Sequence, residues 1–178
     1  TLKNRYLLDA YSTEITEFSL ERDGKLIYSM THDAAMQLII NQPIQWQGYT
    51  SNINEILDTF VRATATAFVD NNPSDLSQYG LDQPSYRIHA KTDAKETTIL
   101  LGKMVSNAEN EVSIYGMFQE SGQVFYMTKA ALNFLDDDLL SVAYPYVYNP
   151  DASTVKQLVA DCNDVQATLE LDTLNKNY

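Results

Sequence analysis

Apolar residues recur at every second position in several short stretches of this chain, and at three- and four-residue spacing in one longer stretch. The alternation is partial over residues 14–20, where Ile15, Phe18 and Leu20 are apolar, and an extended run resumes at Lys25-Leu26-Ile27-Tyr28. Asp23-Gly24 stands between them, a strong hairpin turn signal. A third run, Met36-Gln37-Leu38-Ile39-Ile40, ends at Asn41-Gln42-Pro43. The pattern predicts three strands, the first two paired as a hairpin.

A helix comes next. Ile53, Ile56, Leu57, Phe60, Val61 and Thr64 form one stripe, the mark of an amphipathic helix with one buried face. Asn52 and Glu55 have the spacing of a capping pair. The expected helix runs over about residues 53–67 and is closed off by Asn71-Asn72-Pro73, with a short helical turn at residues 74–78.

Tyr79-Gly80-Leu81-Asp82-Gln83-Pro84 then reads as a rigid elbow. Gly80 can take a positive φ, and Pro84 fixes its own φ while pushing Gln83 towards an extended conformation. Strands follow at Tyr86, Ile88 and Ala90, at residues 97–101 before Gly102, at 112–118, and at 123–127. Thr128 is the expected N-cap of a short helix carrying Ala131, Leu132, Phe134 and Leu135. The second half is thus a four-strand antiparallel meander closed by a helix.

After Asn149-Pro150 the opening pattern returns in weaker form. Val155, Leu158 and Ala160 precede Asn163-Asp164, and Val165, Ala167, Leu169 and Leu171 alternate after it. The spacing predicts a second hairpin, the truncated start of a second repeat. The predicted class is α+β, a mostly antiparallel sheet with one main helix on a face. Its domains are residues 11–149 and a hairpin at 150–178.

Charge narrows the partners. Lys and Arg total 12 against 24 Asp and Glu, a net charge of −12. That argues against nucleic acid and against an anionic membrane surface, both of which need a basic patch. Cys162 is the single cysteine, so an internal disulfide is impossible. The chain opens at Thr1 rather than Met and holds no apolar run long enough for a signal peptide or a membrane span. Both ends read as those of an excised segment whose anchor lies upstream.

The elbow Tyr79 to Pro84, together with Pro43, Leu101-Gly102, Tyr115 and Val124-Phe125-Tyr126, resembles the bacterial family DUF4340, a domain of unknown function. The resemblance covers residues 15–147. One departure is that the family commonly places a tryptophan in the strand before the proline, where this chain has Met36, and Trp46 lies beyond Pro43. The resemblance implies an extracytoplasmic location, an N-terminal membrane helix, and an association with auxiliary parts of ABC-type transport systems of the gliding-motility kind. It supplies no catalytic residue.

Candidate chemistry is sparse. His32 sits in a Thr-His-Asp turn and His89 alternates with apolar residues, and neither has a partner at metal-ligand spacing. No Gly-x-Ser-x-Gly elbow nominates a nucleophile. Cys162 lies beside Asp161 and Asp164, acids that raise a thiol pKa and make a nucleophilic role unfavourable. Asp136-Asp137-Asp138 lacks the glycine and alternating oxygens of a calcium loop, and reads as a solvated helix end or as a cap for the segment from Leu139. Gly102-Lys103 lacks phosphate-loop spacing.

No metal or cofactor is therefore expected. The candidate interaction surface comprises Tyr144, Tyr146 and Tyr148 with Val165 and Leu169, and Tyr79, Gly80, Leu81 and Pro84 are assigned to structure. The leading expectation is a non-enzymatic binding or scaffolding module with protein partners in the cell envelope, touching the membrane only through its anchor. The alternative is a carbohydrate-binding protein or hydrolase using the acidic, tyrosine-rich surface.

Overall fold

The computed structural model describes residues 4–33, 37–108, 110–146, 155–162 and 165–170. The chain divides into two compact units, residues 1–145 and 146–178.

The first unit is built on one antiparallel sheet. Strands β1 (Ile15–Arg22) and β2 (Lys25–His32) form the expected hairpin, with Asp23 and Gly24 both at positive φ in its turn. β3 (Leu38–Gln42) pairs with β2, and a two-residue strand β4 (Trp46–Gln47) follows at the edge. After the helix α1 (Thr50–Arg62) come β5 (Ala67–Asn71), β6 (Tyr86–Thr92), β7 (Glu96–Ser106), β8 (Val112–Phe118) and β9 (Gln123–Thr128). The nine strands lie in the order β4-β3-β2-β1-β6-β7-β8-β9-β5. Two meanders are thus joined back to back by β1 and β6, which pair from Arg22↔Tyr86 to Ile15↔Thr92. The expected hairpin, strand and meander are present, and the sheet dominates the α+β composition.

The order explains what α1 does. The chain leaves β4 at one edge and enters β5 at the other, so α1 and its flanking residues must cross the whole face. Nine strands span about 38 Å and 13 helical residues about 20 Å, so extended residues at both helix ends complete the crossing. The stripe anchors it: Ile53, Ile56, Leu57 and Phe60 are buried. Phe60 meets Phe18 of β1 edge-on at 5.4 Å, and Phe18 meets Phe134 at 6.0 Å. Phe134 belongs to a 3-10 segment, Lys129–Asp136, which with α2 (Leu139–Val142) completes the covering layer.

Several expectations need correction. α1 begins at Thr50 and stops at Arg62 rather than spanning 53–67. Its N-cap is Tyr49 with no side-chain cap bond, and Asn52, expected to cap, donates its amide to the Ser141 carbonyl instead. The helix stops early because residues 63–65 turn extended and pair with the start of the chain: Leu7 N–H donates to Ala63 O and Ala65 N–H to Arg5 O. That non-local pairing and β5 replace the last helical turn. Val61 is half-buried rather than buried. The segment after Thr128 is 3-10 with a kink at Leu132, and Thr128 makes no side-chain cap bond. Met36 of the expected third strand lies outside the described residues.

The other sheet face carries a second apolar cluster. Leu81 is packed there with Leu100, Met117 and Val124, and Leu76, Tyr79 and Tyr115 flank it. The elbow is thus a brace laid over β7, β8 and β9. Gly80 sits at φ +65°, where a side chain is strained. A Cβ on Gly102 would lie 2.5 Å from the carbonyl oxygens of both Tyr79 and Gly80. The Leu-Gly step and the Tyr-Gly-Leu elbow are therefore the two halves of one backbone-to-backbone contact.

In the second unit, β10 (Gln157–Cys162) and β11 (Val165–Glu170) pair antiparallel from Gln157↔Glu170 to Cys162↔Val165. The expected turn residues Asn163 and Asp164 lie outside the described residues.

Candidate interaction surface

A cleft of about 520 Å³ opens between the start of the chain and the second half of α1. Leu7 and Leu8 are buried, which ties the N-terminal segment to the core. The segment then runs through Asp9, Ala10 and Tyr11 to the 3-10 turn Ser12–Glu14, forming one wall of the cleft. Asp58, Val61 and Arg62 of α1 form the other. Two tyrosine rings border it, Tyr6 at 49% exposure and Tyr11 at 77%.

Each carboxylate in this cleft is engaged locally. Asp58 accepts from the Ser12 hydroxyl at 2.5 Å and from the Arg62 guanidinium at 3.0 Å. Glu14 accepts from the Tyr11 backbone N–H at 2.7 Å, and Asp9 from the Asn4 side-chain amide at 2.8 Å. These bonds hold the N-terminal segment to α1 and fix the turn. The arrangement offers two aromatic faces, an apolar floor at Leu8 and Val61, and charged oxygens already held in place.

A second, smaller cleft of about 340 Å³ lies where α1 starts, lined by Asn52, Glu55, Ile56, Asn133, Phe134, Asp137 and Ser141. Here the acid run divides its labour. Asp138 caps α2, accepting from the N–H groups of Leu140 and Ser141. Asp136 accepts from Lys129 and from the Tyr86 hydroxyl, which together hold its carboxyl below the usual range. Asp137 is pushed upward, first by desolvation and then by its neighbours Asp138 and Asp136. Among the described residues, no group of three His, Cys, Asp or Glu side chains could hold a metal ion.

Both histidines are placed. His89 Nδ1 is 3.4 Å from the Thr98 hydroxyl and its Nε2 is 3.9 Å from Glu96, within a polar lattice on the open sheet face. In that lattice Lys91 pairs with Glu17 and Arg87 with Glu21. His32 ends β2, and its Nδ1 is buried without a hydrogen-bond partner among the described residues.

The sequence-nominated surface is only partly described. The Tyr144 ring rests edge-on against Tyr49 at 6.3 Å, and its carbonyl accepts from the Trp46 indole at 2.9 Å. Tyr146 is 57% exposed, and Tyr148 lies outside the described residues. Val165 and Leu169 stand on β11 opposite Cys162 and Leu158. At the elbow Leu81 is buried, while Gln83 and Pro84 border a polar cleft with Glu21, Asp23, Gly24 and Arg87. Tyr6 and Tyr11 went unnominated. Their significance arises from α1 lying beside them, nearly fifty positions away in sequence, and no local spacing announces it.

The elbow around Gly80 and the β7 backbone at Gly102 are packed against each other. The model of the family described as "Domain of unknown function (DUF4340)" matches residues 40–176. The chain belongs to the DUF4340 family. The DUF4340 match starts within β3 and takes in α1, the elbow, the β6–β9 meander and the β10–β11 hairpin. It differs in reach from the resemblance over residues 15–147, leaving out the β1–β2 hairpin and including the tail. No curated protein and no solved structure matches the chain. Among the described residues, no helix is long and apolar enough to cross a membrane.

Proposed function

We propose that this chain is a non-enzymatic extracytoplasmic binding or scaffolding module of a membrane-anchored envelope or transporter-associated protein. The observation that carries the binding role is the cleft beside α1. Its three carboxylates each accept one or two bonds that build the wall, while Tyr6 and Tyr11 stand exposed at its border. Exposed aromatic rings over a preformed surface suit recognition, because they bring large contact area at low entropic cost. Tyr146 and the β10–β11 hairpin form a further contact surface in this reading. The extracytoplasmic and transporter-associated parts rest on resemblance to the DUF4340 family.

The test places a photo-reactive phenylalanine analogue at position 11 of the full-length protein in its native cells. The expected product is one protein adduct in the envelope fraction, diminished by Tyr6→Ala. Fractionation of the protein to the cytosol, or hydrolysis of a glycan by the purified protein that Asp58→Asn abolishes, would overturn the proposal in favour of the hydrolase reading.

A further inference from the structure

We infer that the cleft between residues 6–14 and α1 seats a lysine or arginine side chain of the partner protein. This rests on the binding-module reading and names the chemistry of its partner. Tyr6 and Tyr11 border one cleft and are 49% and 77% exposed, which leaves aromatic surface open to a partner. The face of a tyrosine ring attracts a cation. The apolar floor of Leu8, Ala10 and Val61 suits the methylene stem that carries one.

Charge selects among the ligands that aromatic rings can hold. The lining carries three carboxylates, Asp9, Glu14 and Asp58, against one guanidinium, Arg62, a net of two negative charges. An ionised carboxylate offers about four acceptor sites. The bonds described above occupy one on Asp9, one on Glu14 and two on Asp58. Acceptor capacity therefore remains on all three for an incoming ammonium or guanidinium. A neutral sugar could donate hydroxyls to those oxygens but would leave the two net negative charges uncompensated, and an anionic partner would be repelled. The chain's net charge of −12 adds long-range attraction for a basic segment.

Because any acidic protein attracts a polycation, the experiment separates the rings from the charge. The full chain is titrated with hexaarginine, followed by backbone amide NMR, at low salt and at about 0.3 M salt. The expected result is shifts centred on residues 6–14 and 58–62. Tyr6→Ala/Tyr11→Ala, which leaves the charge unchanged, should weaken binding roughly fivefold or more, and Tyr6→Phe/Tyr11→Phe should retain it. Asp82→Asn/Asp93→Asn, which removes two charges elsewhere, should stay within about twofold of wild type, as expected for screened surface charges. Equal losses in the ring-deleted and charge-deleted variants, shifts spread over the whole acidic surface, or chitohexaose binding in the cleft in place of hexaarginine would overturn the inference. If hexaarginine fails while crosslinking from position 11 still captures an envelope protein, the cationic occupant falls and the binding module stands.

Discussion

Replacing Gly102 by alanine tests the contact that defines the elbow. The new Cβ would lie 2.5 Å from the Tyr79 and Gly80 carbonyl oxygens and 2.7 Å from the Gly80 carbonyl carbon. All three are backbone atoms, so no rotamer change relieves the clash and the elbow must lift from β7. Lifting draws Leu81, 2% exposed, out of its place beside Leu100, Met117 and Val124. Exposing a buried leucine costs about 1.5–3 kcal/mol and overpacking about 1–3 kcal/mol. Since lifting the elbow relieves part of the clash, the expected loss is about 2–4 kcal/mol. Two other glycines calibrate it. Gly80→Ala combines φ +65° with a Cβ 2.9 Å from the Lys103 nitrogen, for a loss of about 2 kcal/mol. Gly24→Ala has φ +72° and open space around it, leaving only the left-handed penalty of about 1 kcal/mol. Urea unfolding followed by Trp46 fluorescence gives the three values by linear extrapolation. The reasoning is refuted if Gly102→Ala falls within about 0.5 kcal/mol of wild type, the range of ordinary surface changes, or costs no more than Gly24→Ala.

Phe60→Ala should cost about 3–5 kcal/mol, because Phe60 is fully buried and meets Phe18 edge-on; a loss under about 1 kcal/mol in the same assay would contradict the packing of α1. Tyr28 is fully buried with a hydroxyl that has no partner among the described residues, so Tyr28→Phe should be neutral or stabilising, and a clear loss of stability would show that the hydroxyl is bonded. Asp137 has its carboxyl pKa raised in the folded state by desolvation and then by Asp138 and Asp136, so its ionised form opposes folding at neutral pH. Asp137→Asn should therefore raise the urea midpoint at pH 7, with the gain shrinking as pH falls towards the unfolded carboxylate value of about 3.9. Asp136 has the opposite sign: its lowered pKa gives a contribution present above that value and lost on further acidification, so Asp136→Asn should lower the midpoint at pH 7.

What the sequence made legible was whatever local chemistry specifies. Asp23-Gly24 marked its hairpin because a two-residue turn needs positive φ, and both residues take it. The helical stripe marked α1 because burial of one face needs that period, and the elbow marked itself through Gly80 and Pro84. What escaped was set by distant partners. Ala67, Phe68 and Val69 continue apolar after the helix, but residues 63–65 pair with Arg5–Leu7 and β5 with β9. Both pairings join residues more than fifty positions apart, so the helical pattern alone gives no reason to stop. β4 is two residues long, too short for any period, and exists because β3 lies beside it. Asn52 carried a capping signature, yet its amide went to Ser141, a partner 89 residues away.

The same division separates the family's signature from this chain's proposed partner site. Gly80 and Gly102 face each other across a backbone contact with no room for a side chain, and Leu81 is buried behind it. Their identity follows from how the brace lies on the sheet, so the motif reports the fold and carries no ligand chemistry. The cleft has a different origin. Tyr6, Leu8, Asp9, Ala10, Tyr11, Ser12 and Glu14 all precede residue 40, where the family match begins, and only Asp58, Val61 and Arg62 fall within it. One wall is then supplied by the shared helix and the other by a segment outside the match. A family member that keeps α1 and the elbow but carries a different N-terminal segment would keep the fold and present a different surface. Grafting residues 4–14 of this chain onto such a relative should transfer hexaarginine binding if the cleft is the recognition site. Failure of the graft, in a relative that folds and keeps the residues 63–65 pairing, would place recognition elsewhere on the molecule.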